Sequence, residues 1–175
     1  HGIAEGPDPE GRVLRVDIDG VDLVSVYLPS GSSNDAAQAR KEVWMNQFSP
    51  WMATIKRRRR PVLVGGDLNI ARDEGDIYHW KGNLKNSGFL PHERKWMNGL
   101  VASGWSDLVR ADAGDVDGPY TWWSNRGQAR VLDRGWRIDY LLANTQATRR
   151  AGKPSIHRQA GLACSDHAPV IVDLE

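Results

Sequence analysis

A single cysteine, Cys164, among 175 residues leaves no partner for an internal disulfide and suits a reducing compartment. No stretch approaches the ~20 consecutive apolar residues of a membrane span, so no membrane partner is expected. The opening HGIAEGPDPEG has neither the basic start nor the apolar run of a signal peptide. It also lacks an initiator methionine, so the chain is expected to begin mid-protein, after processing or by truncation. Net charge is only +1, from 23 basic and 22 acidic side chains, which excludes a histone-like polycation without excluding nucleic acid. No repeat, low-complexity block or linker interrupts the sequence, so residues 1–175 read as one domain.

What is present is ordinary in bulk and unusual in detail. The 40% apolar and 26% charged content is that of a globular protein. Seventeen of the 23 basic residues are arginine, whose forked guanidinium suits phosphates and carboxylates. Eight tryptophans are many for this length and read mainly as core.

Arg12–Ile18 and Val21–Leu28 alternate apolar and polar residues around Asp19-Gly20, which predicts a hairpin. After a PSGSS loop, Asn34 or Asp35 can cap a long helix whose Val43, Trp44, Gln47, Phe48, Trp51, Met52 and Ile55 mark one face. Pro50 is expected to kink or split it. Its basic end, Lys56–Arg60, reads as a solvated helix terminus. Pro61–Gly65 reads as a buried strand, and Pro91 opens a second helix stopped by Gly104. Trp105–Val109, Tyr120–Ser124, Trp136–Ala143 and Ala168–Leu174 read as further strands. The mixture predicts layered sheets covered by helices.

Chemistry collects where polar residues end or interrupt these strands. Asp67 and Asn69 end one, Asp139 interrupts WRIDYLLA, and Asp166-His167 precedes APVIVDL. A carboxylate at a buried strand tip is costly unless paired or bound to a metal, so the three places together predict one metal and acid–base site. Hard oxygen donors without a cysteine cluster suit Mg²⁺, with Mn²⁺ as the substitute. Metal-assisted phosphoester hydrolysis is the chemistry that fits.

The segments YLPSG (27–31), GDLN (66–69), SGFLPHER (87–94), YTWWS (120–124), GWRIDY (135–140) and SDHAP (165–169) resemble, in order, the exonuclease III-type AP endonucleases, bacterial branch. That family lies within the endonuclease/exonuclease/phosphatase superfamily. The resemblance implies an α+β fold, a four-layered α/β/β/α sandwich of DNase I type, here incomplete at the N-terminus. It implies a Mg²⁺-dependent DNA repair hydrolase that cuts 5′ to abasic residues or trims 3′ ends. Its partner would be double-stranded DNA with abasic or 3′-blocked sites, in the bacterial cytoplasm at the nucleoid.

Roles follow by position. Asp67 would orient and deprotonate the attacking water, with Asn69 holding it. Tyr27 would hydrogen-bond the scissile phosphate, and Asp139 and His167 would face it as a pair. Asp166 would be the main metal ligand, with His167, Asp67 and Asn69 completing the set. Trp136, with Trp122 beside it, would wall the sugar pocket. Arg126 and Arg130 are expected at DNA phosphates. Trp44, Trp51, Trp96, Trp105 and Trp123 keep a core reading, Cys164 that of a small apolar filler, and His92 and His157 that of surface residues. His1 and His79 carry no signal.

The family's N-G-I-R-like and Q-E-T-like motifs do not occur in this sequence, and Asn125 and Arg72 stand where relatives often carry Tyr and His. Exposed sheet edges and self-association are therefore expected. Two other readings stand beside the nuclease. One is a different phosphodiesterase of the superfamily, and the other is an inactive remnant that binds DNA weakly.

Overall fold

The computed structural model describes residues 10–160 and 164–175. The opening segment and His1 lie outside the described residues. Two strands, β1 (Val13–Ile18) and β2 (Val21–Tyr27), form the expected hairpin. Asp19 (φ 48°) and Gly20 (φ 82°) are both left-handed, the turn whose twist matches an antiparallel pair.

Helix α1 spans Asp35–Lys56, capped by Asn34, whose side chain accepts from the Ala37 amide at 2.9 Å. Pro50 lies inside it without splitting it. One missing amide donor is a small loss beside a buried face of Ala37, Met45, Phe48, Met52 and Ile55. Val43 and Gln47 are exposed, contrary to expectation. Lys41 and Met45 take the inward places, one turn apart.

Strand β3 (Val62–Asp67) carries GDLN at its end, and α2 (Trp80–Asn83) lies in the loop-rich section. Helix α3 is Pro91–Ala102, with proline in its first turn and Glu93 bonding back to the Leu90 amide. The predicted strand Trp105–Val109 survives only as β4 (Ser106–Asp107). Asp107 there turns to cap α4 (Leu108–Ala113) by accepting from Arg110 N. Strand β5 is Asp139–Ala143, followed by α5 (Thr145–Thr148), β6 (Ser155–Ile156) and β7 (Val170–Ile171). Tyr120–Ser124 is not a strand. Only isolated bridges remain there, Trp122 to Trp136 and Trp122 to His167.

The main sheet runs β1-β2-β3-β5-β4, with β2 and β3 parallel and the other pairs antiparallel. Helices α1 and α3 cover one face through Phe48, Met52, Met97 and Leu100 against Val24, Val26, Val64 and Leu142. Each such fully buried side chain contributes about 1.5–3 kcal/mol. On the other face Leu63, Leu108 and Leu141 pack with Val170, Val172 and Leu174, so the small β6–β7 sheet forms a further layer. This is the α+β sandwich expected, its second sheet reduced to two strands among the described residues. No helix among them is long and apolar enough to cross a membrane.

Candidate active site

Register alone brings three candidates into one row. Tyr27 stands beside Asp67 across β2–β3, and Asp67 beside Asp139 across β3–β5. The approach is close because residue 66 is glycine. A Cβ there would stand 1.9 Å from the Val26 carbonyl oxygen, and its φ of 145° suits only glycine.

Asp67 is locked by the turn it opens. Its Oδ1 accepts from the Asn69 amide at 2.8 Å and its Oδ2 from Asn69 Nδ2 at 3.1 Å. Asn69 Nδ2 also donates to the Leu28 carbonyl at 2.9 Å. Burial, reinforced by the Asp139 charge, raises the Asp67 carboxyl to about 6, against the lowering effect of the Asn69 amide.

Asp139 Oδ2 is bonded to His167 Nδ1 at 2.9 Å. That bond holds the imidazole above its ordinary pKa, against a lowering effect of burial. The Thr121 hydroxyl accepts from the Ile138 and Asp139 amides, both at 3.1 Å, and so sets where β5 begins. Asp166 Oδ2 accepts from Trp122 Nε1 at 2.8 Å, and its Oδ1 lies 4.0 Å from His167 Nε2. Trp122 meets Trp136 edge-on, centroids 6.1 Å apart at 89°.

These groups head a cleft of about 690 Å³ lined by Tyr27, Asp67, Asn69, Trp122, Trp136 and His167. It continues past Ser30, Ser32 and the N-terminus of α1 to Lys85, Asn86 and Ser87. Tyr27 is half exposed at its mouth, with Arg12 stacked 5.0 Å over its ring.

Not every expected residue joins. Arg126 is exposed on the 124–128 loop, away from the cleft lining. Arg130 is drawn inward instead. It lies 4.8 Å over the Trp123 ring and donates to the carbonyls of Ser165 at 2.9 Å and Arg158 at 2.7 Å. It also reaches His167 O at 3.3 Å, so it braces the Asp166-His167 loop and has few donors left for phosphate. Cys164 is exposed, not a filler. Lys56–Arg60 is not simply solvated. Arg58 pairs with buried Asp22 at 2.7 Å, and Arg60 pairs with Asp17 at 2.5 Å, tying the helix end to the hairpin. That lies at the start of β3, at the far end from Asp67.

Most of the residues expected to hold the metal already carry hydrogen bonds to one another or to Asp139. Among the described residues no three His, Cys, Asp or Glu side chains surround a common point. Both Asp67 oxygens are engaged by Asn69, and His167 Nδ1 by Asp139. Asp166 Oδ1, 4.0 Å from His167 Nε2, offers a hard oxygen there. A single carboxylate fits Mg²⁺, which keeps several waters and takes phosphate oxygens.

Sequence reasoning missed the buried ionic groups beneath the site: Lys41 with Glu93, and Arg137 with Asp76 and Asp107. The inward helical position of Lys41, one turn before Met45, was the readable signal.

A mixed sheet with helices on one face, and carboxylates and an imidazole at the tips of its strands, defines the class: an α+β sandwich of DNase I type with an acidic, Trp-walled cleft. The chain belongs to the endonuclease/exonuclease/phosphatase family, whose sequence profile matches residues 2–167. It is 30% identical over 169 residues to an exodeoxyribonuclease of Streptococcus pneumoniae serotype 4, covering 96% of this chain and 60% of that protein. It is 32% identical over 170 residues to the DNA repair nuclease APEX1 of Danio rerio, covering 97% of this chain and 54% of that protein. A 3′ phosphatase from Neisseria, NExo, solved with a product DNA hairpin, superposes with a TM-score of 0.89 at 25% identity. That superposition covers 96% of this chain and 66% of the other. The chain thus spans little more than half the length of these curated relatives.

Proposed function

We propose that this chain carries the phosphodiesterase site of a DNA repair hydrolase of exonuclease III type, acting as an AP endonuclease and 3′-5′ exonuclease. The observation that carries the reading is the row Tyr27–Asp67–Asp139, with His167 bonded to Asp139, at the head of a cleft walled by Trp122 and Trp136. The relatives named as exodeoxyribonuclease and DNA repair nuclease support it.

In this reading a water held by Asp67 and Asn69 attacks phosphorus in line. Its proton passes to the Asp67 carboxylate and the P–O3′ bond breaks; the departing O3′ takes a proton from solvent water, leaving a 3′-hydroxyl and a 5′-phosphate. Tyr27 donates its hydroxyl to a phosphate oxygen. The Asp139–His167 pair places an N–H against the charge that develops there. A divalent cation at Asp166, Mg²⁺ by the hardness of its donors, would neutralise phosphate charge and the leaving oxygen. The edge-on Trp122–Trp136 pair offers an apolar wall, which suits a base-free deoxyribose turned out of the duplex. The substrate would then be double-stranded DNA bearing an abasic residue or a blocked 3′ end, in the bacterial cytoplasm at the nucleoid.

The deciding experiment is cleavage of a duplex with one abasic analogue, with Mg²⁺ and with a chelator. Cutting 5′ to the analogue only with the metal supports the reading. Failure to cut at any Mg²⁺ concentration sinks it.

A second copy of the chain is the other partner we propose. Among the described residues strand β1 is the sheet edge, and Leu14 (61% exposed), Val16 and Ile18 line its open face. An antiparallel copy centred on Val16 sets Arg15 against Asp17 and Leu14 against Ile18, which is complementary in both charge and apolarity.

A further inference from the structure

Lys41 on α1 and Glu93 on α3 form a fully buried ion pair of 2.6 Å. The proposed chemistry uses neither residue. Lys41 Nζ also donates to the Asn69 carbonyl at 2.9 Å. The second carboxylate oxygen of Glu93 accepts from the amides of Gly88 at 2.7 Å and Leu90 at 3.0 Å. One ion pair therefore joins three segments: α1, the Asn69 turn, and the 88–90 segment beneath Trp136.

The three segments are packed without slack. A Cβ on Gly88 would stand 3.0 Å from the Trp136 ring and 3.1 Å from the Asn69 carbonyl oxygen. The Ala71 amide donates to the Gly88 carbonyl at 2.8 Å, so the same segment is tied to the chain just past Asn69. Asn69 itself has φ 50°, a left-handed conformation that asparagine adopts more readily than most residues with a side chain. That conformation returns the Asn69 amide onto Asp67 Oδ1 and its side-chain nitrogen onto Oδ2. The lysine bond falls on the carbonyl of this same residue.

We propose that Lys41 and Glu93 are positioning residues that hold Asn69 in its left-handed conformation and so aim the Asp67 carboxylate into the cleft. A buried ion pair is a poor stabiliser compared with well-packed apolar side chains, because desolvating both charges offsets their attraction. What this pair supplies that leucines could not is direction: an ammonium on one carbonyl and a carboxylate on two amides. The structural part of the proposal stands on these contacts alone, and its kinetic part rests on the nuclease reading.

The test compares wild type, Lys41→Met and the double variant Lys41→Met/Glu93→Gln. It follows thermal unfolding, Asn69 amide hydrogen exchange, and kcat and KM on an abasic duplex. The single variant strands a buried carboxylate and should lower Tm. The double variant removes both charges and should recover most of that loss. The Asn69 amide should nevertheless exchange about tenfold faster than wild type in the double variant, since the hold on its carbonyl is gone. Its kcat should fall about 10²-fold with KM unchanged, the scale of a small misplacement of a reacting group. If the single variant does not fold, the double variant alone carries the comparison. Recovery of Asn69 protection together with Tm would overturn the proposal, leaving the pair a packing feature. If wild type cleaves nothing, the nuclease reading fails, and the exchange measurement still decides the positioning role.

Discussion

Arg137 grips Asp76 with two parallel hydrogen bonds in the protein interior, Nε to Oδ1 at 2.7 Å and Nη2 to Oδ2 at 2.8 Å. Arg137 also meets Asp107 at 2.9 Å, and Arg110 reaches Asp76 from the other side. The pairing lies one residue from Trp136 and two from Asp139, so the cleft wall and the start of β5 share one buried anchor.

Removing one partner of this anchor should be costly. Asp76→Asn leaves Arg137 with a weakened partner at a site closed to water. A loss of about 3–5 kcal/mol in urea unfolding at pH 7 is expected, the scale of a broken buried pair. The pH dependence has a definite sign. Burial pushes the Asp76 carboxyl up, but Arg137 and Arg110 outweigh it and hold the group below its ordinary value of 3.8. Its stabilising contribution is therefore complete above pH 3.8 and is lost as pH falls through the lower, folded-state value. Asp76→Asn should be less stable than wild type at neutral pH and should lose less on acidification. Parallel unfolding curves for the two proteins down to pH 2–3 would remove Asp76 from the acid response.

Asp67→Asn preserves shape and removes basicity. Cleavage of an abasic duplex should fall by at least ~10²-fold, the usual contribution of a general base. Duplex binding, measured by fluorescence anisotropy, should be retained. Unchanged turnover would remove Asp67 from the reaction.

Trp136→Ala opens the wall that faces Trp122. Abasic cleavage should suffer more than removal of a 3′-phosphate, because a base-free sugar is held by apolar contact and a 3′ end mainly through its phosphate. The two rates are measured on duplexes that differ only in the lesion. An equal loss on both would mean that the wall does not select the sugar.

Val16→Lys places a charge at the centre of the proposed β1–β1 pairing. Light scattering after size exclusion should show wild type shifting towards a dimer as concentration rises, and the variant remaining a monomer. A wild type that stays monomeric throughout would show that this edge does not pair with a second copy.

Much of this protein was legible in its sequence because the signals were local. Alternation around Asp19-Gly20 specified β1 and β2, since a two-residue left-handed turn fits only that pairing. Asn34 and Pro91 marked helix starts through their own backbone chemistry. Polar residues at the tips of apolar strands announced Asp67, Asn69, Asp139, Asp166 and His167, because a carboxylate at a buried strand tip is costly unless it is paired or bound to a metal. Tertiary structure alone decided which of these meet and in what state. Asp67 faces Asp139 through a register between strands more than seventy residues apart in the chain, and it stands beside Tyr27 because Gly66 lets the β2 backbone close in. Arg130 and Arg137 look alike in sequence, yet one braces a loop over Trp123 and the other fills the interior against Asp76. Lys41 falls on the inward stripe of α1, one turn before Met45, but nothing in the sequence names its partners. Only the packing of α1 against α3 and β3 closes water out around it and leaves Glu93 and the Asn69 carbonyl as its partners, because desolvation is a property of the assembled layers and not of any segment.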